Sequence, residues 1–363
     1  MDPQPNARPT STDGPNPADV GLRVVVTGAS GAVGRHVAGR LLASDAVREL
    51  VALDRVASDG VRGFDVMEDD LADVLGPGDV LVHLAATPAG FAGDGGAAKA
   101  DKLLAVRALD AAGKAKAGHV LLASSAMVYG AWPDNPLPIS ESATIRPNPE
   151  FRFGVVRGEI EALGEVWAAD TGGRLTIIRA ATTLARGREN GLAILLRNSA
   201  ALRSSEGDAP LQFLHAEDFA SAIETLVVGG HDGVFNVAPD GWLRPTEVAA
   251  LRGLPDTPIR VPGVVISAIS DARRRFGAAT HPGLTAYLQH PWVVANDKLK
   301  ALGWQPESSN EEAYVAGYQP SRFDGVTAKR RQELALGAAG AAVAAAALGV
   351  AGALSWATKR ARR

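Results

Sequence analysis

The sequence predicts an α/β fold: a doubly wound parallel sheet, a smaller C-terminal lobe and, beyond both, a hydrophobic helix. Three observations carry that reading. From residue 22 onward, short apolar β-rich runs alternate with longer stretches of helical spacing, the sequence form of strand–helix–strand crossovers. A glycine-rich turn joins the first such run directly to the first helical stretch. Near the C terminus, the 23 residues from Leu334 to Trp356 carry no charge and stand between basic clusters.

Taken in order, residues 1–20 contain five prolines and no apolar run. They bury too little surface to offset the entropy of ordering and read as a disordered leader, with no secretory signal pattern. Strands are expected at Leu22–Thr27, Leu50–Asp54, Val80–Ala85, Val120–Ser124 and Leu175–Ala180, all apolar on both faces, as the inner strands of a parallel sheet must be. Between them Val33–Ala43, Ala97–Ala112 and Gly154–Ala169 have helical spacing. After about residue 185 the alternation weakens among Gly- and Pro-rich connections, and a less regular lobe is expected within 185–325. The body is thus 21–325, and 329–363 forms a separate basic-flanked tail.

Composition narrows the chemistry. A chain of 363 residues makes one large domain or two smaller ones. It has no cysteine, which excludes disulfides, thiolate-held metals and thiol catalysis. The seven histidines show no paired ligand spacing, so no metal site is expected, and no G-x-S-x-G elbow supports hydrolase chemistry. Lys and Arg number 37 against 40 Asp and Glu, a balance unlike that of a nucleic-acid binder. The charge is uneven: residues 1–328 hold 30 basic and 39 acidic groups, whereas 329–363 hold seven basic groups and Glu333 alone. An acidic body with a basic tail suggests that the tail meets something the body does not.

The first strand ends in Thr27-Gly28-Ala29-Ser30-Gly31-Ala32-Val33-Gly34 and runs straight into a helix. Gly28 permits the tight turn, Gly31 lets backbone approach a pyrophosphate, and Gly34 lets helix pack close to strand. Ser30, Ala32 and Val33 complete the phosphate-facing turn at the positive helix N-terminus. Asp54 closes the second strand 20 residues beyond Gly34. A carboxylate there accepts from both ribose hydroxyls and repels a 2′-phosphate, which favours NAD as cofactor; Arg55 beside it keeps NADP as the lesser alternative. Asp65, with Val66, reads either as the receiver of the adenine amino group or as a solvated turn acid. In His83-Leu84-Ala85-Ala86 the small residues would let a cofactor lie over the strand ends, and His83 itself reads as a packed histidine.

These motifs, with SSAMVYG at 124–130, PISE at 138–141, LHAEDFASAI at 214–223, GVFNVAP at 233–239 and KALGWQP at 300–306, resemble those of the extended short-chain dehydrogenases/reductases, the NAD-dependent epimerase/dehydratase family. The resemblance covers roughly residues 22–318. It implies a Rossmann sheet holding NAD(P) and a small lobe closing over a substrate, often a nucleotide sugar. It also implies a Ser or Thr before VYG, here Ser125, followed by Tyr-x-x-x-Lys at the start of the next helix. In such a pair the Tyr moves a proton at the substrate hydroxyl, while the Lys holds the nicotinamide ribose and lowers the Tyr pKa.

Here the Tyr position falls on Phe153 and the Lys position on Arg157. Phe153 has no ionisable group. Arg157 keeps a cation able to grip ribose hydroxyls but has nothing to tune. Tyr129 is the nearest alternative acid/base by sequence. The resemblance also implies an Arg four residues before His215, where this chain has Leu211, and an Asn three residues after Arg179, where it has Thr182; both changes weaken the case for a nucleoside-diphosphate sugar. His215 and Asp218 are expected to organise a loop. The acids Glu159 and Glu161 read as solvated or capping.

Two functions stay open at this point. One is an NAD-binding oxidoreductase or epimerase of atypical active site, acting if at all on a sugar- or alcohol-type small molecule. The other is a non-catalytic NAD(P)-binding scaffold or redox sensor. As a helix, Leu334–Trp356 would span about 34 Å, enough for a hydrocarbon core. The tail is therefore expected to anchor the body at the cytoplasmic face of a membrane; an Ala-rich helix on a soluble cytoplasmic protein is the alternative. Its small residues suit close helix–helix approach, which makes a homo-oligomer compatible with the sequence.

Overall fold

The computed structural model describes residues 21–87, 95–186, 202–204, 209–251, 259–261 and 283–317. The leader and the 329–363 tail, with the anchor expected there, lie outside the described residues. Among the described residues no helix is long and apolar enough to cross a membrane.

The strands are β1 (Leu22–Thr27), β2 (Val47–Asp54), β3 (Arg62–Gly63), β4 (Val80–His83), β5 (His119–Ser125), β6 (Arg174–Ala180), β7 (Thr182–Leu184), β8 (Leu202–Ser204), β9 (Phe213–His215), β10 (Gly233–Val237) and β11 (Ile259–Val261). Seven of them form one sheet in the order β10-β6-β5-β4-β1-β2-β3, every neighbouring pair parallel. The chain winds outward from β1 to β3, then returns to β4 on the other side of β1. That reversal opens a crevice at the carboxyl ends of β1 and β4, the place where such sheets take ligands.

Alternation along each strand explains the continuous apolar runs. Val24 and Val26 of β1, Val82 of β4 and Leu121 of β5 share one buried cluster with Val37 and Leu41 of helix α1 (Gly34–Leu42). Phe219 and Ile223 of α4 (Ala216–Val228) complete that side. Val25, Leu81, Val120 and Leu122 turn to the opposite face. There they meet Leu104 and Ala108 of α2 (Gly95–Ala115) and Val156 and Ile160 of α3 (Arg152–Thr171). Both faces are thus covered, and burying each such side chain contributes about 1.5–3 kcal/mol. The sheet's outer strand β10 is partly covered by side chains: the Asn236 N–H donates to Glu141 Oε1 at 2.9 Å, and Lys298 Nζ donates to the Val234 carbonyl at 2.8 Å.

In the smaller lobe β7 pairs with β9 and β8 with β11, both parallel. His215 caps α4, its Nδ1 accepting from the Glu217 N–H at 3.2 Å. Asp218 is buried and accepts from the Glu307 and Ser308 amides at 2.8 and 3.1 Å, tying down the segment after KALGWQP. Both residues serve the loop.

Two buried histidines give the sheet a measurable acid sensitivity. His83 Nδ1 lies 2.8 Å from Thr27 Oγ1, and His119 Nε2 lies 2.7 Å from Thr176 Oγ1. Burial, followed by a nearby arginine (Arg157 and Arg174 respectively), lowers each from 6.5 to about 4. Since the folded values lie below the unfolded one, this stability is complete above about pH 6.5 and is lost as pH falls towards 4, by about 3 kcal/mol per histidine. Urea unfolding across that interval should therefore show a smaller fall for His119→Gln than for the unaltered chain. Identical slopes would rule the assignment out.

Candidate functional site

The glycine turn forms as its residue types require. Gly28 has φ +78°, and a Cβ there would lie 2.7 Å from the Ala85 nitrogen, so β1 and the 84–86 segment come together only without a side chain. A Cβ on Gly34 would meet the Gly28 carbonyl oxygen at 2.0 Å; its absence lets α1 start against the turn. Val33, the N-cap of α1, makes no side-chain cap bond, and the first turn of α1 holds no acid. No capping side chain therefore competes with an anion at this helix N-terminus, although the Arg35 and His36 amides already donate to the Gly31 and Val33 carbonyls.

A cleft of about 550 Å³ opens above this turn. It is lined by Gly28, Ser30 and Gly31 of the turn, by Asp54 at the end of β2 with Arg55 and Val56 after it, and by Asp65, Val66 and Met67. Leu84, Ala85, Ala86 and Thr87 line it from the segment that follows β4. Asp54 is fixed by two backbone donors, Ser30 N–H to Oδ2 at 3.0 Å and Val56 N–H to Oδ1 at 3.0 Å. Asp65 Oδ1 accepts from the Met67 N–H at 2.9 Å, so it is a turn acid that also faces the cleft. Ala32, Val33, Gly34 and Arg157 lie outside the lining; Gly34 acts through packing. Phe64, Ala100 and Leu104 also line the cleft, and no sequence motif marked them.

The other half of the site departs from what the resemblance implies. Ser125 ends β5 and caps the short turn Ala126–Tyr129, its Oγ accepting from the Met127 N–H at 3.3 Å. Phe153 stands in the first turn of α3, its ring 6.0 Å from that of Phe151. Arg157 sits 5.1 Å above the Phe153 ring, donates to the Ala123 carbonyl at 3.3 Å and pairs with Asp101 at 3.2 Å. Burial lowers the Arg157 pKa below its ordinary value, with Asp101 pulling it back up. Asp101 is absent from every sequence motif; the available signal was one acid within the apolar, Ala-rich face of α2.

Tyr129 does not reach the cleft. Its hydroxyl donates to Asn236 Oδ1 at 2.9 Å and accepts from Arg179 at 2.8 Å, so the nearest alternative acid/base by sequence is engaged in the core, in the turn that Ser125 caps. Arg179 in turn makes a buried forked pair with Glu161, 2.7 Å at its shortest, and Ser124 donates to the same carboxylate. The solvated reading of Glu161 is therefore also corrected: α3 turns it inward onto β5 and β6. Glu159 faces outward and pairs with Lys102 at 3.0 Å. Tyr287 donates to the Met127 carbonyl at 2.8 Å, and burial raises its pKa. Tyr129, Tyr287 and Tyr314, the tyrosines among the described residues, are each no more than 2% exposed.

The model of the NAD dependent epimerase/dehydratase family matches residues 24–238. The chain belongs to this family. Uncharacterized proteins of Mycobacterium tuberculosis and Mycobacterium bovis are each 29% identical to it over 317 residues, covering 80% of this chain and 82% of the relative. Among solved structures it is similar to the UDP-glucose 4-epimerase of Thermus thermophilus in complex with NAD. That likeness has 18% identity and a TM-score of 0.61, covering 82% of this chain and 97% of that one. The UDP-glucuronic acid 4-epimerase of Bacillus cereus, in complex with UDP-glucuronic acid and NAD, gives 18% identity and a TM-score of 0.62 over 82% and 98%. These likenesses are of fold. As a family member the chain is expected to take NAD, and its cleft fits that cofactor at the adenosine and pyrophosphate end, where Gly28, Gly31 and Asp54 stand.

Proposed function

We propose that this chain is an NAD-binding member of its family that keeps the dinucleotide cleft and has lost the proton relay, acting as a non-catalytic dinucleotide-binding protein. The carrying observation is the pair at the relay positions: Phe153 has no proton to give, and Arg157 is already paired with buried Asp101. NAD, when bound, supplies hydride acceptance at its nicotinamide ring. The chain's own part would be to bind and orient it, with the glycine turn and the start of α1 at the pyrophosphate and Asp54 at the ribose. A positioned general acid contributes about 10²–10⁴-fold to rate, or on the order of 3–5 kcal/mol of barrier. The described tyrosines are all sealed in the core and supply none of it.

Ser125, whose hydroxyl remains at the end of β5, favours a second reading, an atypical oxidoreductase on a sugar- or alcohol-type substrate. The same chain, on either reading, would be held at the cytoplasmic face of a membrane by residues 329–363, which the sequence alone supports. Calorimetry of the full chain should show NAD binding, tighter than NADP. Turnover with candidate sugars and alcohols should be absent in wild type and gained in Phe153→Tyr/Arg157→Lys. Equal turnover in the two would establish the second reading, and no affinity for either dinucleotide would defeat both. Sedimentation with membranes should depend on residues 329–363, and an unchanged soluble distribution would remove the anchor.

A further inference from the structure

Arg157 and Asp101 form an ion pair almost out of water, with side chains 13% and 3% exposed. The pair borders the cleft. Asp101 Oδ1 accepts from the Thr87 N–H at 2.6 Å and from Thr87 Oγ1 at 2.8 Å. Thr87 lines the cleft, as do Ala100 and Leu104 on either side of Asp101 along α2. Arg157 reaches the end of β5 through the Ala123 carbonyl. Asp54 ends β2, and in the sheet order the pair and Asp54 stand on opposite sides of the β1/β4 crevice. A dinucleotide with its adenosine at Asp54 and its length across the crevice would bring its nicotinamide half towards the pair.

The two nicotinamide states differ there by one charge, since the oxidised ring is cationic and the reduced ring is neutral. A lone buried guanidinium would repel the oxidised form. Of the neighbouring charged groups, Lys102 and Glu159 pair with each other at 3.0 Å, and burial, then Arg157, lowers the His83 pKa to about 4, which leaves it neutral near pH 7. Partly desolvated charges interact far more strongly than charges in water.

We infer that Asp101 neutralises Arg157 and thereby sets the preference of this cleft between oxidised and reduced dinucleotide, a positioning residue that acts through Arg157 and Thr87. The inference rests on the proposed NAD binding. It makes the pair a charge-balanced border, so that the cationic ring is tolerated beside an arginine.

The test is the ratio of NAD to NADH dissociation constants, measured by calorimetry on the full chain. Asp101→Asn leaves Arg157 unpaired and should move the ratio on the order of tenfold towards NADH. Arg157→Gln leaves Asp101 unpaired and should move it a similar amount towards NAD. The double variant carries neither charge and should return to the wild-type ratio. Because the single variants shift in opposite directions, either one decides alone if the other fails to fold. A ratio that stays constant while binding persists overturns the inference; loss of binding to both forms by wild type overturns the proposed function instead.

Discussion

Gly34→Ala is expected to lower NAD affinity by about a hundredfold or more, while Gly39→Ala on the same helix leaves it unchanged. The two glycines share a helix and differ in what a methyl group would meet. At Gly34 it would stand 2.0 Å from the Gly28 carbonyl oxygen, with Ala29 backbone also within 3.0 Å. Backbone cannot rotate aside as a side chain can, so α1 must slide away from the turn. The start of α1 then no longer abuts the turn, and a hundredfold loss corresponds to about 2.8 kcal/mol of binding. Overpacking should also cost about 1–3 kcal/mol of stability. At Gly39 nothing lies within 4 Å, and alanine there should stabilise the helix by about 0.5–1 kcal/mol. Calorimetry and urea melts of the two variants check this, and undiminished NAD binding by Gly34→Ala would show that the turn does not hold the cofactor.

Glu161→Ala should destabilise the fold by about 3–5 kcal/mol, because it strands the Arg179 guanidinium in the core. The forked pair receives a third donor from Ser124, and Arg179 passes the network on to Tyr129 and Asn236. One deletion therefore leaves several buried groups without partners, each adding its own penalty. The Glu161→Ala/Arg179→Met variant removes both charges and should recover part of the loss, since a buried pair replaced by apolar groups is often close to neutral. Chemical denaturation reads both; a loss below about 1 kcal/mol for Glu161→Ala would mean that water reaches Arg179.

Much of the central sheet was legible because burial on both faces leaves an unbroken apolar run. β1 matches its expected span, and β6 begins one residue earlier than expected. β2 begins at Val47, ahead of the expected Leu50, because its first turn outward carries Arg48 and Glu49, which no apolar rule selects. The adenosine end of the cleft was legible because glycine and aspartate act there through backbone geometry and charge at fixed spacing. The partner of Arg157 was not, since Asp101 lies 56 positions away and only tertiary packing brings α2 against α3. Glu161 misled for the same reason: an acid on a helix reads as solvated unless the strand residue that receives it is known. The strands of the smaller lobe are three residues long, too short to show a period.

The partial cover that Glu141 and Lys298 give β10 bears on how this molecule meets others. An open sheet normally offers its rim as a template on which a foreign strand can zip, the route to runaway polymer and to peptide capture alike. Here one rim has the Asn236 amide and the Val234 carbonyl occupied by side chains, and the other carries the two-residue β3 beside the end of β2. Each border is thereby covered in part: β3 pairs with Leu53 and Asp54 at the end of β2, and the β10 contacts sit at its middle residues. A foreign backbone pairing along the β10 rim would therefore first have to displace Glu141 and Lys298, exchanging two made contacts for new ones.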